Sequence, residues 1–201
     1  MGHYFLNDNN IKSNIRKLGY TYKGKEIKLS SDSGVFCKDH IDFGTNVLLQ
    51  GLPNFIQEKN DILDVGCGYG LIGLSIASAY PESNVDMIDV NLRAIELAKE
   101  NGRVNNLKNV NIFESNVYEN VNKEYDYILT NPPVRAGKNV VWDIVIGGYN
   151  RLKNNGKIYV VIQKKQGAPS LIEKMEETYE EVNIINKEKG YYIIEGAKRV
   201  K

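Results

Sequence analysis

Five short runs rich in Ile and Val recur from residue 61 onward, at Asp61–Val65, Asn84–Asp89, Asn109–Glu114, Tyr125–Thr130 and Lys157–Gln163. Each is bounded by Gly, Asn or Pro, as buried parallel strands are. Helix-length stretches separate them. Leu71–Tyr80 stops at Pro81, and Leu92–Val104 follows a capping Asn91 and carries Ile95, Leu97 and Ala98 on one side. Val140–Leu152 and Ser170–Tyr179 complete the set. This alternation predicts βαβ units with right-handed crossovers, and therefore an α/β fold with helices on both faces of a mostly parallel, Rossmann-like sheet.

The tail breaks the alternation. Glu181–Asn186, Lys187–Gly190 and Tyr191–Glu195 predict a hairpin with Gly190 in its turn. An antiparallel pair closing a parallel sheet is informative, because plain dinucleotide-binding folds do not require one. At 201 residues the chain suits one full domain plus a small appendage. We expect the appendage at residues 1–45, with a small β-hairpin around Lys23-Gly24, and the main domain at residues 46–201. Thr45–Gly51 predicts a helix that stops before Pro53.

Composition removes several classes. The longest apolar stretches fall far short of a bilayer crossing, so no membrane partner is expected. The first residues lack a basic segment followed by an apolar one, so no secretory leader is expected. Cys37 and Cys67 do not make a disulfide framework, and Cys67 lies inside a glycine loop. Reduced thiols in a cytoplasmic protein are the simpler reading. The net charge of +1 is neutral on nucleic acid, but residues 1–31 carry six basic groups (Lys12, Arg16, Lys17, Lys23, Lys25, Lys28) against Asp8 and Glu26, which is +4. Arg135, Lys138, Lys164 and Lys165 fall near predicted strand ends, where a polyanion could meet them. A solvated lysine-rich surface is the alternative. With only His3 and His40, no Ser-His-Asp set is convincing, and zinc and Walker motifs are absent.

Asp64-Val-Gly66-Cys-Gly68-Tyr-Gly70 follows a strand and opens a helix. Glycines there permit positive φ and close approach of a ligand to the backbone. Gly68-Tyr-Gly70-Leu-Ile-Gly73 matches the dinucleotide fingerprint, but in that frame the first glycine sits three residues past Val65 rather than at the strand exit. The frame that fits puts Asp64 at the strand end, two residues before Gly66. A carboxylate there repels a pyrophosphate and attracts an ammonium group, which favours S-adenosylmethionine over a nicotinamide dinucleotide. Asp89 ends the second strand, nineteen residues after Gly70, where a carboxylate can accept from ribose hydroxyls or cap the next helix. Asn116, after the third strand, can contact an adenine edge or serve as a turn residue.

Asn131-Pro132-Pro133 follows the fourth strand. Two prolines fix φ twice and remove two N–H donors, leaving stiffly held carbonyls. If Asn131 offers its side-chain oxygen and Pro132 its carbonyl, two acceptors hold the hydrogens of an –NH2 group. Methyl transfer from a sulfonium then needs position and desolvation more than acid–base chemistry. A purely structural turn is the competing reading of the tripeptide, weakened by the glycine loop and Asp89 at fitting intervals upstream.

The chain resembles a class I S-adenosylmethionine-dependent methyltransferase of the Asn-Pro-Pro group. More narrowly, it is similar to the catalytic domain of the ribosomal RNA small-subunit methyltransferase C (guanine-N2) family, in a short single-domain form. The residues carrying the resemblance are Gly34–Thr45, Leu63–Gly70, Asp89–Asn91, Glu114–Tyr118, Asn131–Lys138 and Gly190–Ile194, with His3-Tyr4-Phe5 at the start. The resemblance implies a seven-stranded sheet whose last strand is antiparallel. It puts Asp64, Gly66 and Gly68 at the methionine end of the cofactor, Asp89 on the ribose and Asn116 on the adenine. Asp42 to Thr45 would close over the cofactor, and Asn131 with Pro132 and Pro133 would hold the target amine. Val134, Arg135 and Lys138 would meet the substrate, with ribosomal RNA or the small ribosomal subunit as partner. Val134 departs from the group's usual aromatic and forgoes base stacking of about 1–3 kcal/mol, which Arg135 could offset with its guanidinium plane. A protein glutamine amide, adenine N6 and a non-catalytic RNA-binding role remain the alternatives.

Overall fold

The computed structural model describes residues 12–35, 40–54 and 59–199. His3-Tyr4-Phe5, Cys37 and the Phe36–Asp39 part of the resemblance lie outside them. In chain order the elements are β1 (Arg16–Tyr22), β2 (Lys25–Ser31), α1 (Phe43–Gly51), β3 (Asp61–Val65), α2 (Leu71–Ala79), β4 (Asn84–Asp89), α3 (Leu92–Val104), β5 (Val110–Glu114), β6 (Tyr125–Thr130), α4 (Lys138–Gly147), β7 (Leu152–Gln163), α5 (Ala168–Glu176), β8 (Glu181–Glu188) and β9 (Tyr191–Ala197). Seven strands form one sheet in the order β5-β4-β3-β6-β7-β9-β8, parallel except that β9 runs antiparallel to both β7 and β8. The antiparallel closing pair read from the tail is therefore present.

Side-chain alternation builds the two cores. Ile62, Leu129 and Tyr159 point to the face covered by α1, α2 and α3, where Val47, Leu48, Ile72, Ile76 and Ile95 meet them. Their neighbours Leu63, Ile128 and Val160 point to the other face, against Val141, Ile144, Leu171 and Met175 of α4 and α5. The central strands β3, β4 and β6 thus spend nearly every position on burial, which explains their near-continuous apolar runs.

The N-terminal hairpin turns at Lys23 and Gly24, both at positive φ (48° and 76°), as a two-residue loop requires. Tyr22, Ile27 and Leu29 join the first core. Asn101 of α3 fastens the hairpin to the glycine loop: its Nδ2 donates to the carbonyls of Ser30 (2.9 Å) and Tyr69 (2.8 Å), and its Oδ1 accepts from Ser30 N–H (2.7 Å). Several boundaries differ from the reading above. The last parallel strand begins at Leu152 rather than Lys157, because Leu152 pairs with Tyr125 and the polar Asn154-Asn155-Gly156 stretch forms an irregularity within the strand, not a loop before it. Helix α4 starts two residues earlier than expected, and α1 starts at Phe43, where Asp42 caps it. Among the described residues no helix is long and apolar enough to cross a membrane.

Candidate active site

Strand order reverses between β3 and β6: β4 and β5 lie to one side, β7 to the other. Ligands of open α/β sheets bind in the crevice that such a reversal opens at the strand C-termini. Val65 of β3 pairs with Thr130 of β6, and Thr130 Oγ1 donates to Val65 O at 2.9 Å. The next residues on each side are Gly66 and Asn131, so the two motifs share this crevice.

Gly66, Gly68 and Gly70 all take positive φ (71°, 57° and 103°). Gly66 and Cys67 N–H both donate to Ile88 O at 2.9 Å, which curls the loop over the end of β4. Asp89 completes the loop: its Oδ2 accepts from Gly68 N–H and its Oδ1 from Asn91 N–H, each at 2.8 Å. Asn91 is the cap of α3, accepting from Ala94 N–H at 3.1 Å, which leaves the Asp89 carboxylate facing the loop. Gly73, third glycine of the rejected dinucleotide frame, serves packing: a Cβ there would lie 2.6 Å from Met87 Cγ.

Asp64 is fully buried under the loop. Its Oδ2 accepts from Gly73 N–H at 2.9 Å, and its Oδ1 has no partner. Desolvation raises its pKa to about 7; the Gly73 bond opposes this, and the Asp89 charge adds to it. The same burial, with the two carboxylates, pushes the Cys67 thiol well above its ordinary range and makes it a poor nucleophile. A strained pair of carboxylates behind a loop with open space above Gly66 suits a cationic ligand and disfavours a pyrophosphate. The residues present therefore fit the sulfonium and ammonium charges of S-adenosylmethionine.

Asn131 is fixed from the other side of the crevice. Its Nδ2 donates to Asp42 Oδ2 at 2.7 Å and to Thr45 Oγ1 at 2.9 Å. A carboxylate accepts and does not donate, so the amide nitrogen must face Asp42. Oδ1 is left without a partner among the described residues. Asp42 Oδ2 also caps α1 through Thr45 N–H at 2.8 Å, which welds the helix start to the acceptor loop. Pro132 is buried, and its carbonyl already accepts Val134 N–H at 2.9 Å; one lone pair remains.

The other expected residues lie around this centre. Asn116 is exposed after β5 and donates to Glu119 Oε1 at 3.0 Å. Val134, half-buried, opens a short 3-10 turn to Ala136 and packs, as Val140 and Trp142 do, against the second core. Arg135 is exposed, and Lys138 Nζ lies 4.5 Å from the Trp142 ring centroid. Val134, Lys138 and Trp142 share a cavity of about 120 Å³ with the start of α5. Trp142, the only tryptophan, was not singled out from sequence, although its place eleven residues past Asn131 in an apolar helix was the available signal.

Comparison with known proteins agrees with this fold. The family model described as methyltransferase small domain matches residues 26–195. YbxB of Bacillus subtilis, an uncharacterized protein, is 46% identical over 198 residues, 98% of each chain. The ribosomal RNA small subunit methyltransferase C of Psychromonas ingrahamii is 34% identical over 69% of this chain and 40% of its own length. The solved T. thermophilus 16S rRNA N2 G1207 methyltransferase (RsmC), in complex with AdoMet and guanosine, superposes with a TM-score of 0.81 at 24% identity, over 94% of this chain and 52% of that one. The chain thus spans about half the length of the curated ribosomal RNA methyltransferases it matches, and nearly all of YbxB. By its family match and the sheet, loop and acceptor strand just described, the chain belongs to the methyltransferase small domain family and is an S-adenosylmethionine-dependent methyltransferase.

Proposed function

We propose that this protein, acting in the cytoplasm, methylates the exocyclic N2 of a guanine in small-subunit ribosomal RNA. The observation that carries the reading is the Asn131 amide, whose nitrogen is taken by Asp42 and Thr45 and whose oxygen is left free to accept. Together with the second lone pair of the Pro132 carbonyl, it forms a pair of acceptors for the two hydrogens of an –NH2 group. Holding both hydrogens directs the nitrogen lone pair out of the amine plane, which is what attack on a methyl carbon requires. The cofactor supplies a methyl group already activated by sulfonium charge. The chain's part is to hold, orient and dry the acceptor. In this proposal Asp64, Gly66 and Gly68 hold the methionine end, Asp89 the ribose and Asn116 the adenine. Val134, Arg135 and Lys138 flank the base. A guanine inside a helix must be extruded to reach the site, so exposed single-stranded RNA or an assembly state is the expected substrate. The division into an appendage at 1–45 and a methyltransferase domain at 46–201 belongs to the same proposal.

The half-buried Val134 favours one second reading, a protein glutamine amide, because that acceptor needs no ring after Asn-Pro-Pro to stack on; adenine N6 would forgo the same stacking as guanine. Mass mapping of ribosomal RNA with and without the protein, beside label transfer to DNA and to protein, separates the two. A new N2-methylguanine is the expected result. Label on protein or DNA alone overturns the guanine assignment.

A further inference from the structure

A second site lies farther along the same sheet edge. Gln163 ends β7, Lys164–Gln166 form a 3-10 turn, and Lys189-Gly190 is the two-residue turn between β8 and β9. Gln163, Lys164, Lys165, Pro169, Lys189 and Gly190 line a cavity of about 490 Å³, a volume within the range of small-ligand pockets. Backbone contacts fix its walls. Gln163 pairs with Tyr191 in antiparallel register, and Lys164 N–H donates to Gly190 O at 2.8 Å.

The chemistry of the lining is unspent. None of its three ammonium groups pairs with a carboxylate among the described residues, and Lys189 Nζ rests 5.1 Å from the Phe43 ring centroid. The Oε1 of Gln163 is buried without a hydrogen-bond partner. A buried acceptor without a donor is destabilising unless a ligand provides one. Packing beside the cavity links the start of β9 to the residues that hold the acceptor loop. The Tyr191 ring packs on Phe43 at 5.5 Å, and a Cβ on Gly44 would lie 2.8 Å from Tyr191 Cε1 and 3.1 Å from Asp42 Oδ2, the carboxylate that holds Asn131.

We propose that this cavity receives a nucleotide neighbouring the methylated base, with its phosphate among Lys164, Lys165 and Lys189 and a base N–H on Gln163 Oε1. The choice of RNA rests on the functional reading above and deepens it. An acidic protein segment would also bring anions and backbone N–H donors; the nucleotide is favoured because the functional reading above already brings RNA to this edge of the sheet. A nucleotide offers the anion and the donor together.

The test is binding of the full chain to a short single-stranded oligoribonucleotide by fluorescence anisotropy across a salt series. Lys164→Gln, Lys165→Gln and Lys189→Asn are combined, asparagine being chosen because residue 189 sits at φ 45°. The combined variant should lower the slope of log affinity against log salt by about 0.7, the share of one phosphate contact on a single strand. Gln163→Leu should keep the slope and weaken binding roughly fivefold to tenfold. S-adenosylmethionine affinity, measured by calorimetry, reports that each variant is folded. An unchanged slope in the lysine variant, no RNA binding by the wild type, or tighter wild-type binding to a polyglutamate peptide than to RNA overturns the proposal. The two readings fail separately: slopes as expected with no methylated guanine in ribosomal RNA sinks only the acceptor assignment, and methylated guanine with unchanged slopes sinks only the cavity.

Discussion

Replacing Asp42 with alanine separates two roles that one carboxylate plays. Asp42 Oδ2 accepts from Thr45 N–H as the cap of α1 and from Asn131 Nδ2 as the anchor of the acceptor loop. Loss of the cap costs about 0.5–2 kcal/mol, or roughly 1–8 °C in Tm for a domain of this size. Loss of the anchor removes a hydrogen bond to a charged group, about 1.5–3 kcal/mol, and leaves Asn131 Nδ2 with Thr45 Oγ1 alone. If that energy is what holds the Asn131 oxygen toward the acceptor, kcat falls by roughly 10- to 150-fold at 1.36 kcal/mol per decade. The assay is methyl transfer to small-subunit ribosomal RNA at saturating cofactor, beside calorimetric affinity for S-adenosylmethionine and a melting curve. Cofactor affinity should stay within a few fold. A lowered Tm with unchanged kcat would mean that Asp42 is only a cap. A raised cofactor Kd with unchanged saturated kcat would instead give Asp42 the cofactor-closing role that the family resemblance implies, and would refute the anchoring argument.

Asn131→Ala should keep cofactor affinity and abolish most turnover, because the acceptor pair is halved; parallel loss of both in calorimetry and turnover assays would make the residue structural. Asp64 titrates near 7 in the folded chain against about 3.9 unfolded, so the cofactor-free protein should lose stability as pH rises from about 4 to 7, the folded state being the better proton binder there. Since the cofactor needs Asp64 ionised, its affinity should rise with pH through that window, by up to about tenfold per unit, and Asp64→Asn should flatten the profile; a pH-independent wild-type Kd would sink the linkage. Gly73→Ala forces a Cβ to within 2.6 Å of the Met87 side chain and should destabilise by about 1–3 kcal/mol, read from urea unfolding; an unchanged midpoint would show that Met87 repacks freely.

What the sequence alone determined is what short-range spacing encodes. Strand and helix alternation, the Asn91 cap, the glycine loop after Val65, the Asn-Pro-Pro stop after Thr130 and the Gly190 turn each depend on residues within a few positions of one another. Their backbone demands are met wherever the segment lies. Tertiary structure decided what joins distant segments. Asp42 reaches Asn131 across 89 positions, Asn101 ties β2 to the glycine loop, and Gln163 meets Lys189 in one cavity only because β9 inserts between β7 and β8. Nothing local announces such pairs, since they follow from strand order and register. The boundary of β7 was misjudged for a related reason: Asn154-Asn155-Gly156 has turn composition, and pairing of Leu152 with Tyr125 keeps it in the sheet. Burial is likewise a property of the assembled layers. Asp64 was recognisable as an acid at a strand end, but only the packing of α2 over β3 removes it from water and moves its proton affinity to neutrality.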